Sequence, residues 1–115
     1  MSERPKILVC DPLAEEGLAI LREAGEVDVV PGLSEAELIE RVPGYAALVV
    51  RSGVKITAPV IEAARQARII ARAGVGVDNI DVPAATRRGI IVVNSPGGNT
   101  LSTAEHTLAM LLALA

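Results

Sequence analysis

The 115-residue sequence has almost no aromatic side chains: it contains no Phe, no Trp and a single tyrosine, Tyr45. It also lacks an excess of basic residues, because 11 Lys and Arg stand against 14 Asp and Glu. Proteins that bind nucleic acids usually stack bases on aromatic rings and neutralise phosphates with basic residues. The composition therefore argues against a nucleic-acid partner and predicts a core of aliphatic side chains.

Cysteine is nearly absent as well. The single Cys10 excludes a disulfide within the chain and favours a reducing, cytoplasmic location. Because Cys10 ends an apolar run, we expect it to be inert core rather than a reactive thiol. The polar N-terminus is followed by too few apolar residues for a signal peptide, and no segment reaches the roughly 18 apolar residues of a membrane span. We therefore expect no membrane partner.

Five short apolar segments alternate with segments of helical periodicity. The first of them, residues 7–10, is continuous rather than alternating, which is typical of a strand covered on both faces. These strands are expected at residues 7–10, 27–30, 46–50, 68–71 and 90–93. Strands joined through helices by short loops predict right-handed βαβ units. The sequence therefore predicts an α/β fold, a flavodoxin-like doubly wound parallel sheet in the strand order 2-1-3-4-5 with a trailing apolar helix.

Several helix starts are marked by polar side chains. Ser34 and Glu37 form the pattern of a capping box, in which each side chain binds the backbone N–H of the other residue. Thr57 and Asp81 stand where they could cap the next two helices. These signals divide the first part of the chain into helices and strands.

The last segment has a different pattern. Ser102 and Glu105 repeat the capping-box spacing, and from Leu108 onward the helix is apolar on every face. Such a helix is expected to be buried all round. It has no stop signal, which favours a natural polypeptide that continues beyond it. The alternative is an apolar tail that docks on this domain or joins two copies.

A glycine turn formed by Gly74 and Gly76 follows the fourth strand. Glycine permits positive φ and lets a ligand approach backbone N–H groups. Asn79 stands where the dinucleotide-binding fingerprint would have its third glycine. We interpret the segment as an anion- or substrate-binding turn, with a purely structural turn and a dinucleotide loop as alternatives.

In open sheets ligands bind at the carboxyl ends of the strands. That edge is also expected to carry Asp11, Arg51, Ser52 and residues 94–99.

The same segments resemble a known family. The resemblance is carried by Arg51-Ser52-Gly53, residues 72–81, residues 94–100 and Thr103-Ala104-Glu105-His106. In these segments the chain is similar to the D-isomer-specific 2-hydroxyacid dehydrogenases, and the match runs through essentially the whole sequence in order. The resemblance implies that residues 1–98 form a flavodoxin-like substrate-binding domain. It implies that residues 99–115 begin the helix leading to an NAD-binding Rossmann domain encoded later, which would hold the catalytic histidine.

The resemblance also implies oxidation of a small anionic 2-hydroxy acid with NAD as cofactor. It assigns substrate contacts to Arg51, Ser52, Gly74, Val75 and Asn99. It places Val75 and Thr103 near the cofactor, and no catalytic residue in this chain. An arginine fork suits a carboxylate or phosphate, so the residues and the resemblance agree on Arg51; the alternative is a solvated loop charge. An assembly of identical chains is expected as well.

Two other classes of protein share the expected sheet order or composition. A phosphoacceptor signalling module would need an aspartate after the third strand and a lysine after the fifth, where this chain has Arg51 and Ser95-Pro96. The other is a stand-alone module that binds an anion or self-associates without catalysis. It is distinguished from the enzyme by the lack of turnover.

The remaining charged residues have ordinary structural explanations. His106 lies on a mostly apolar helix and is expected to pack or to contact an interface. Its neighbour Glu105 points to another side of the helix, so the two do not form a catalytic pair. Turn and cap roles explain Asp78 and Asp81 without a metal, and no metal site is expected. The pair Arg87-Arg88 ends a helix and is expected to face solvent.

Overall fold

The structure is a computed structural model and describes residues 4–74, 78–95 and 100–114. Within these ranges five strands and five helices alternate. They are β1 (Lys6–Val9), α1 (Glu15–Ala24), β2 (Glu26–Val29), α2 (Glu35–Arg41), β3 (Ala47–Val50), α3 (Ala58–Ala63), β4 (Ile69–Arg72), α4 (Val82–Arg87), β5 (Ile91–Asn94) and α5 (Thr100–Leu114). None of the described helices combines the length and hydrophobicity that crossing a membrane requires.

The strands form one parallel sheet in the order β2-β1-β3-β4-β5. In the centre of the sheet Leu8 lies opposite Leu48, and Leu48 lies opposite Ile70. The predicted α/β fold and strand order are confirmed. The order changes direction between β1 and β3, the kind of place where open sheets bind ligands.

Both faces of the sheet are covered. Alternate side chains of a strand point to opposite faces, so neighbours in sequence enter different clusters. Leu8, Leu48 and Ile70 pack with residues of α2, α3 and α4 on one face. On the other face Val49 and Ile69 pack with residues of α1 and α5. This double covering explains why the buried strands β1, β3 and β4 have mainly apolar sequences, whereas the edge strand β2 does not.

Two of the predicted helix caps are confirmed. The Glu37 N–H donates to Ser34 Oγ at 3.2 Å, and the Ser34 N–H donates to Glu37 Oε1 at 2.9 Å, which is a complete capping box at α2. The hydrogen bond from the Ser34 backbone lowers the pKa of the Glu37 carboxyl. At α4 the Ala84 N–H donates to Asp81 Oδ1 at 3.0 Å. Asp81 therefore has a structural role.

The third predicted cap is wrong. Thr57 occupies the N-cap position of α3, yet its side chain makes no capping hydrogen bond. Its hydroxyl donates instead to Glu35 Oε2 at 2.6 Å. The Thr57 side chain therefore links α3 to α2 and does not close the first turn of α3.

The last helix differs from the prediction in two ways. It begins at Thr100, so Ser102 lies inside the helix and is not the N-cap of a capping box. It is also not buried all round, because among the described residues α1 and the sheet pack against one of its sides. Thr107 and Leu111 are buried, whereas Leu101 is 42% exposed and Leu112 is 65% exposed. The Thr107 hydroxyl can be buried because it donates to the Thr103 carbonyl at 2.8 Å.

Arg87 and Arg88 have different environments. Arg87 is exposed as predicted, but the prediction is wrong for Arg88. Arg88 Nη1 donates to the carbonyls of Ile61 and Glu62 at 3.0 and 3.1 Å. The last carbonyls of a helix lack partners within it, and Arg88 supplies one at the end of α3.

Candidate functional site

The loops that follow the strands meet at one edge of the sheet, which we call the carboxyl rim. Hydrogen bonds extend the parallel pairing slightly past the strand ends: the Ala73 N–H donates to the Val50 carbonyl at 2.9 Å, and the Ser95 N–H donates to the Arg72 carbonyl at 3.1 Å. Asp11 follows β1 at the same edge. The structure therefore brings together the turns after β1, β3 and β4 that the sequence predicted to be close.

Asp11 anchors the turn that carries Arg51. Its side chain is buried, and Asp11 Oδ2 accepts the Arg51 backbone N–H at 2.6 Å. A Cβ atom added to Gly53 would overlap Asp11 Oδ1. A side chain at position 53 would have to displace this carboxylate, which holds the Arg51 N–H. Asp11 was placed at this edge by the sequence, but its contact with Arg51 was not predicted.

Arg51 and Ser52 are both exposed at the rim. Within the described ranges the Arg51 guanidinium makes no hydrogen bond or ion pair, although its backbone N–H and carbonyl are both bonded. The Arg51 backbone is thus held by hydrogen bonds, while its guanidinium group is exposed and can contact a ligand. A guanidinium can bind a carboxylate or a phosphate through two parallel hydrogen bonds.

Gly74 is partly exposed on the neighbouring turn. It does not use the positive φ that glycine permits. A Cβ atom at this position would meet only the Arg72 side chain, at 3.6 to 3.7 Å, which is an ordinary contact. Arg72, the last residue of β4, was not among the predicted site residues, although an arginine just before a glycine turn is a signal of anion binding. The described part of the rim thus includes two guanidinium side chains.

Four further predicted site residues lie in the glycine turn or in the segments near it. Gly76 and Val75, and also Asn99, lie outside the described residues. Thr103 is buried in the first part of α5, with its hydroxyl 3.5 Å from the Arg72 carbonyl. The start of α5 therefore lies next to the end of β4. That Val75 and Thr103 lie near the cofactor stays a prediction.

The turn after β4 does not fit a dinucleotide-binding loop. In that fingerprint the glycines lead directly into a helix whose N-terminus binds the pyrophosphate. Here α4 does not begin until Val82. Asn79 stands in place of the third glycine, and its side-chain amide is used in hydrogen bonds to the Arg51 and Val54 carbonyls. The segment from Asp78 to Asp81 therefore takes the place of the helix start that the fingerprint puts directly after its glycines.

His106 is exposed on α5, next to the buried Thr103 and Thr107. Among the described residues no group of three His, Cys, Asp or Glu side chains could hold a metal ion. A packing or interface role for His106 stays a prediction.

Cys10 is expected to be unreactive in the folded protein. It is buried, and burial, with a smaller effect of the neighbouring Asp11 carboxylate, raises the pKa of its thiol to about 12. Only the thiolate is a good nucleophile. Labelling with iodoacetamide at neutral pH, followed by mass spectrometry, should be slow in buffer and fast in urea. Rapid labelling of the folded protein would contradict the burial of Cys10.

Known proteins are similar to this chain over most of its length. The family model of the D-isomer specific 2-hydroxyacid dehydrogenase catalytic domain matches residues 7–111. D-3-phosphoglycerate dehydrogenase of Synechocystis sp. is 59% identical over 110 residues, which are 96% of this chain and 20% of that protein. The enzyme of the same name from Archaeoglobus fulgidus is 59% identical over 111 residues, 96% of this chain and 21% of that protein.

A solved structure is also similar. It is the NAD⁺-bound 3-phosphoglycerate dehydrogenase of Entamoeba histolytica, with a TM-score of 0.72 and 36% sequence identity. The similarity covers 81% of this chain and 33% of that chain. The present chain spans about a fifth of the length of the curated relatives that it matches. The family match over residues 7–111 places this chain in the D-isomer specific 2-hydroxyacid dehydrogenase family.

Proposed function

We propose that this chain is the substrate-binding part of an NAD-dependent D-3-phosphoglycerate dehydrogenase. The reaction would oxidise 3-phosphoglycerate to 3-phosphohydroxypyruvate in serine biosynthesis. Relatives with that name are 59% identical over 96% of the chain. The observation that carries the proposal is the exposed Arg51 guanidinium, mounted on a backbone that the buried Asp11 holds at the carboxyl rim.

The chemistry of the substrate matches this rim. 3-Phosphoglycerate carries a carboxylate and a phosphate, and a guanidinium fork can bind either. Ser52 is exposed beside Arg51 and offers a hydroxyl donor. Gly74 presents backbone without a side chain on the adjoining turn. We propose that Val75 and Asn99 complete the substrate contacts.

The cofactor would be held elsewhere in the enzyme. Because the turn after β4 does not fit a dinucleotide loop, we propose that residues 1–98 bind the substrate. Residues 99–115 would form the start of the helix that leads to a Rossmann domain binding NAD, with Thr103 near that cofactor. We also propose a cytoplasmic enzyme built from identical chains.

Steady-state assays of the full-length enzyme test the proposal. With NAD and 3-phosphoglycerate we expect NADH to form, and D-glycerate, which lacks the phosphate, should be a poorer substrate. The 115-residue chain alone should form no NADH, because no dinucleotide site was found in its described part. Lack of turnover by the full-length enzyme would overturn the proposed reaction. Turnover by the 115-residue chain would overturn the proposal that NAD is bound elsewhere in the enzyme.

A further inference from the structure

The turn from Arg51 to Val54 is closed by one side chain from another loop. Asn79 Nδ2 donates to the Arg51 carbonyl at 2.7 Å and to the Val54 carbonyl at 2.7 Å. A primary amide has two N–H donors, so these two bonds use both of them. The Asn79 side chain therefore bridges the two ends of the turn.

Asn79 is itself held firmly. Its backbone carbonyl accepts the Ile56 N–H at 2.7 Å, and the Asp81 N–H donates to the Ile56 carbonyl at 2.9 Å. Ile56 and Ile80 form a parallel bridge between the two loops. The loop that follows the glycine turn is thus joined to the segment that follows the Arg51 turn by backbone and side-chain bonds together.

The orientation of the amide is determined by its partners. A reversed amide would place Asn79 Oδ1 against the two carbonyl oxygens of Arg51 and Val54, where it could accept no hydrogen bond. In the orientation found, Oδ1 is buried and has no hydrogen-bond partner. The amide orientation therefore leaves Asn79 Oδ1 without a hydrogen bond and gives both N–H groups of Nδ2 a carbonyl partner in the turn.

Arg51 is consequently fixed at both of its backbone polar groups. Its N–H donates to Asp11 at 2.6 Å, and its carbonyl accepts from Asn79 at 2.7 Å. The peptide groups on both sides of the Cα atom are held, so the direction in which the side chain leaves the backbone is set. Binding a ligand costs conformational entropy of the arginine side chain and of any backbone that must become ordered. Because the Arg51 backbone is already held, only the side chain has to be ordered.

We propose that Asn79 is a positioning residue for substrate binding and that it acts through Arg51. This inference rests on the proposed function, because it assigns a role to the same rim. Asn79 need not touch the substrate. It holds the Arg51 turn so that the guanidinium is presented to the anion without reordering of the backbone.

Steady-state kinetics of the full-length enzyme with 3-phosphoglycerate and NAD test the proposal. Asn79→Ala should raise KM about tenfold, which corresponds to ~1.4 kcal/mol, with a much smaller change in kcat. Asn79→Asp should raise KM at least as much, because a carboxylate has no N–H for the two carbonyls. The control is Asp81→Ala, which removes the nearby cap of α4. It should lower Tm and leave KM unchanged.

A double-mutant cycle separates positioning from a general structural role. If Asn79 acts through Arg51, Asn79→Ala should change KM little once Arg51→Ala is present. Trypsin cleavage after Arg51, followed by mass spectrometry in the otherwise intact enzyme, should be faster in Asn79→Ala than in Asp81→Ala. Additive effects on KM, equal KM changes in the Asp81→Ala control, or equal cleavage rates would overturn the positioning role.

Failure of the proposed function gives a different result. A folded wild-type enzyme without turnover of 3-phosphoglycerate would overturn that function, and with it the role of Asn79 in binding this substrate. Turnover by the wild type together with additive kinetics would overturn only the role of Asn79. The two failures are therefore distinguished by the wild-type assay alone.

Discussion

Replacing Arg51 by alanine is expected to raise the KM for 3-phosphoglycerate by roughly one to two orders of magnitude. A hydrogen bond to a charged group contributes about 1.5–3 kcal/mol, and 1.4 kcal/mol corresponds to a factor of about ten in affinity. The exposed Arg51 guanidinium makes no competing contact in the described ranges, so its full interaction is available to the substrate. Steady-state kinetics of the full-length enzyme measure the effect.

Two variants define how Arg51 acts. Arg51→Lys keeps the positive charge but loses the planar fork, so an intermediate KM is expected. Arg87→Ala removes an exposed arginine from the end of α4 and should leave KM unchanged. If Arg51→Ala had the KM and kcat of the wild type, Arg51 would not belong to the substrate site.

Replacing Leu48 by alanine is expected to lower the free energy of unfolding by about 3–5 kcal/mol. Leu48 is fully buried in β3, the central strand of the sheet, where it packs in the cluster under α2, α3 and α4. The substitution removes apolar contacts and leaves a cavity that a packed sheet fills poorly. Urea unfolding of the 115-residue chain, followed by circular dichroism, measures the change.

The control lies at the edge of the same sheet. Val29→Ala shortens an aliphatic side chain in β2 that is 40% exposed, so its cost should be at most about 1 kcal/mol. Similar costs at positions 48 and 29 would contradict the different burial of the two strands. The expected difference follows from the position of β3 between β1 and β4.

Much of the fold could be predicted because its signals are local. The capping box of Ser34 and Glu37 spans only four residues, and the central strands are short, mainly apolar runs. Short connections through helices indicate parallel strands, but they do not determine that β2 lies outside β1. Local patterns fail where a distant partner intervenes: Thr57 contacts Glu35, and Arg88 contacts carbonyls at the end of α3.

The last helix shows a second reason for failure. Its composition predicts burial on every side, but composition does not tell which elements are near enough to cover each side. In the structure α1 and the sheet cover one side of α5, and Leu112 stays exposed. The sequence shows which sides of a helix are apolar, whereas the neighbouring elements determine which of those sides are buried.

The location of the candidate site could be predicted from the sequence, but the residues that hold the Arg51 turn in place could not. Arg51 and Ser52 are visible because they follow a buried strand whose carboxyl end must lie at the rim. The residues that hold this turn come from other parts of the chain: Asp11 is 40 residues away from Arg51, and Asn79 is 28 residues away. Such distant contacts have no periodicity in the sequence, although the polar residues that make them stand directly after strands or turns.

The scarcity of aromatic residues gives this chain a built-in optical probe. Tyr45 is almost fully buried, and its hydroxyl donates to Asp28 Oδ2 at 2.6 Å and accepts from Arg41 Nε at 3.1 Å. All tyrosine emission and near-ultraviolet dichroism of these 115 residues therefore originate at the corner between α2 and the first strands. A change in either signal therefore reports a change in the packing around Tyr45, because the chain has no second aromatic residue that could contribute.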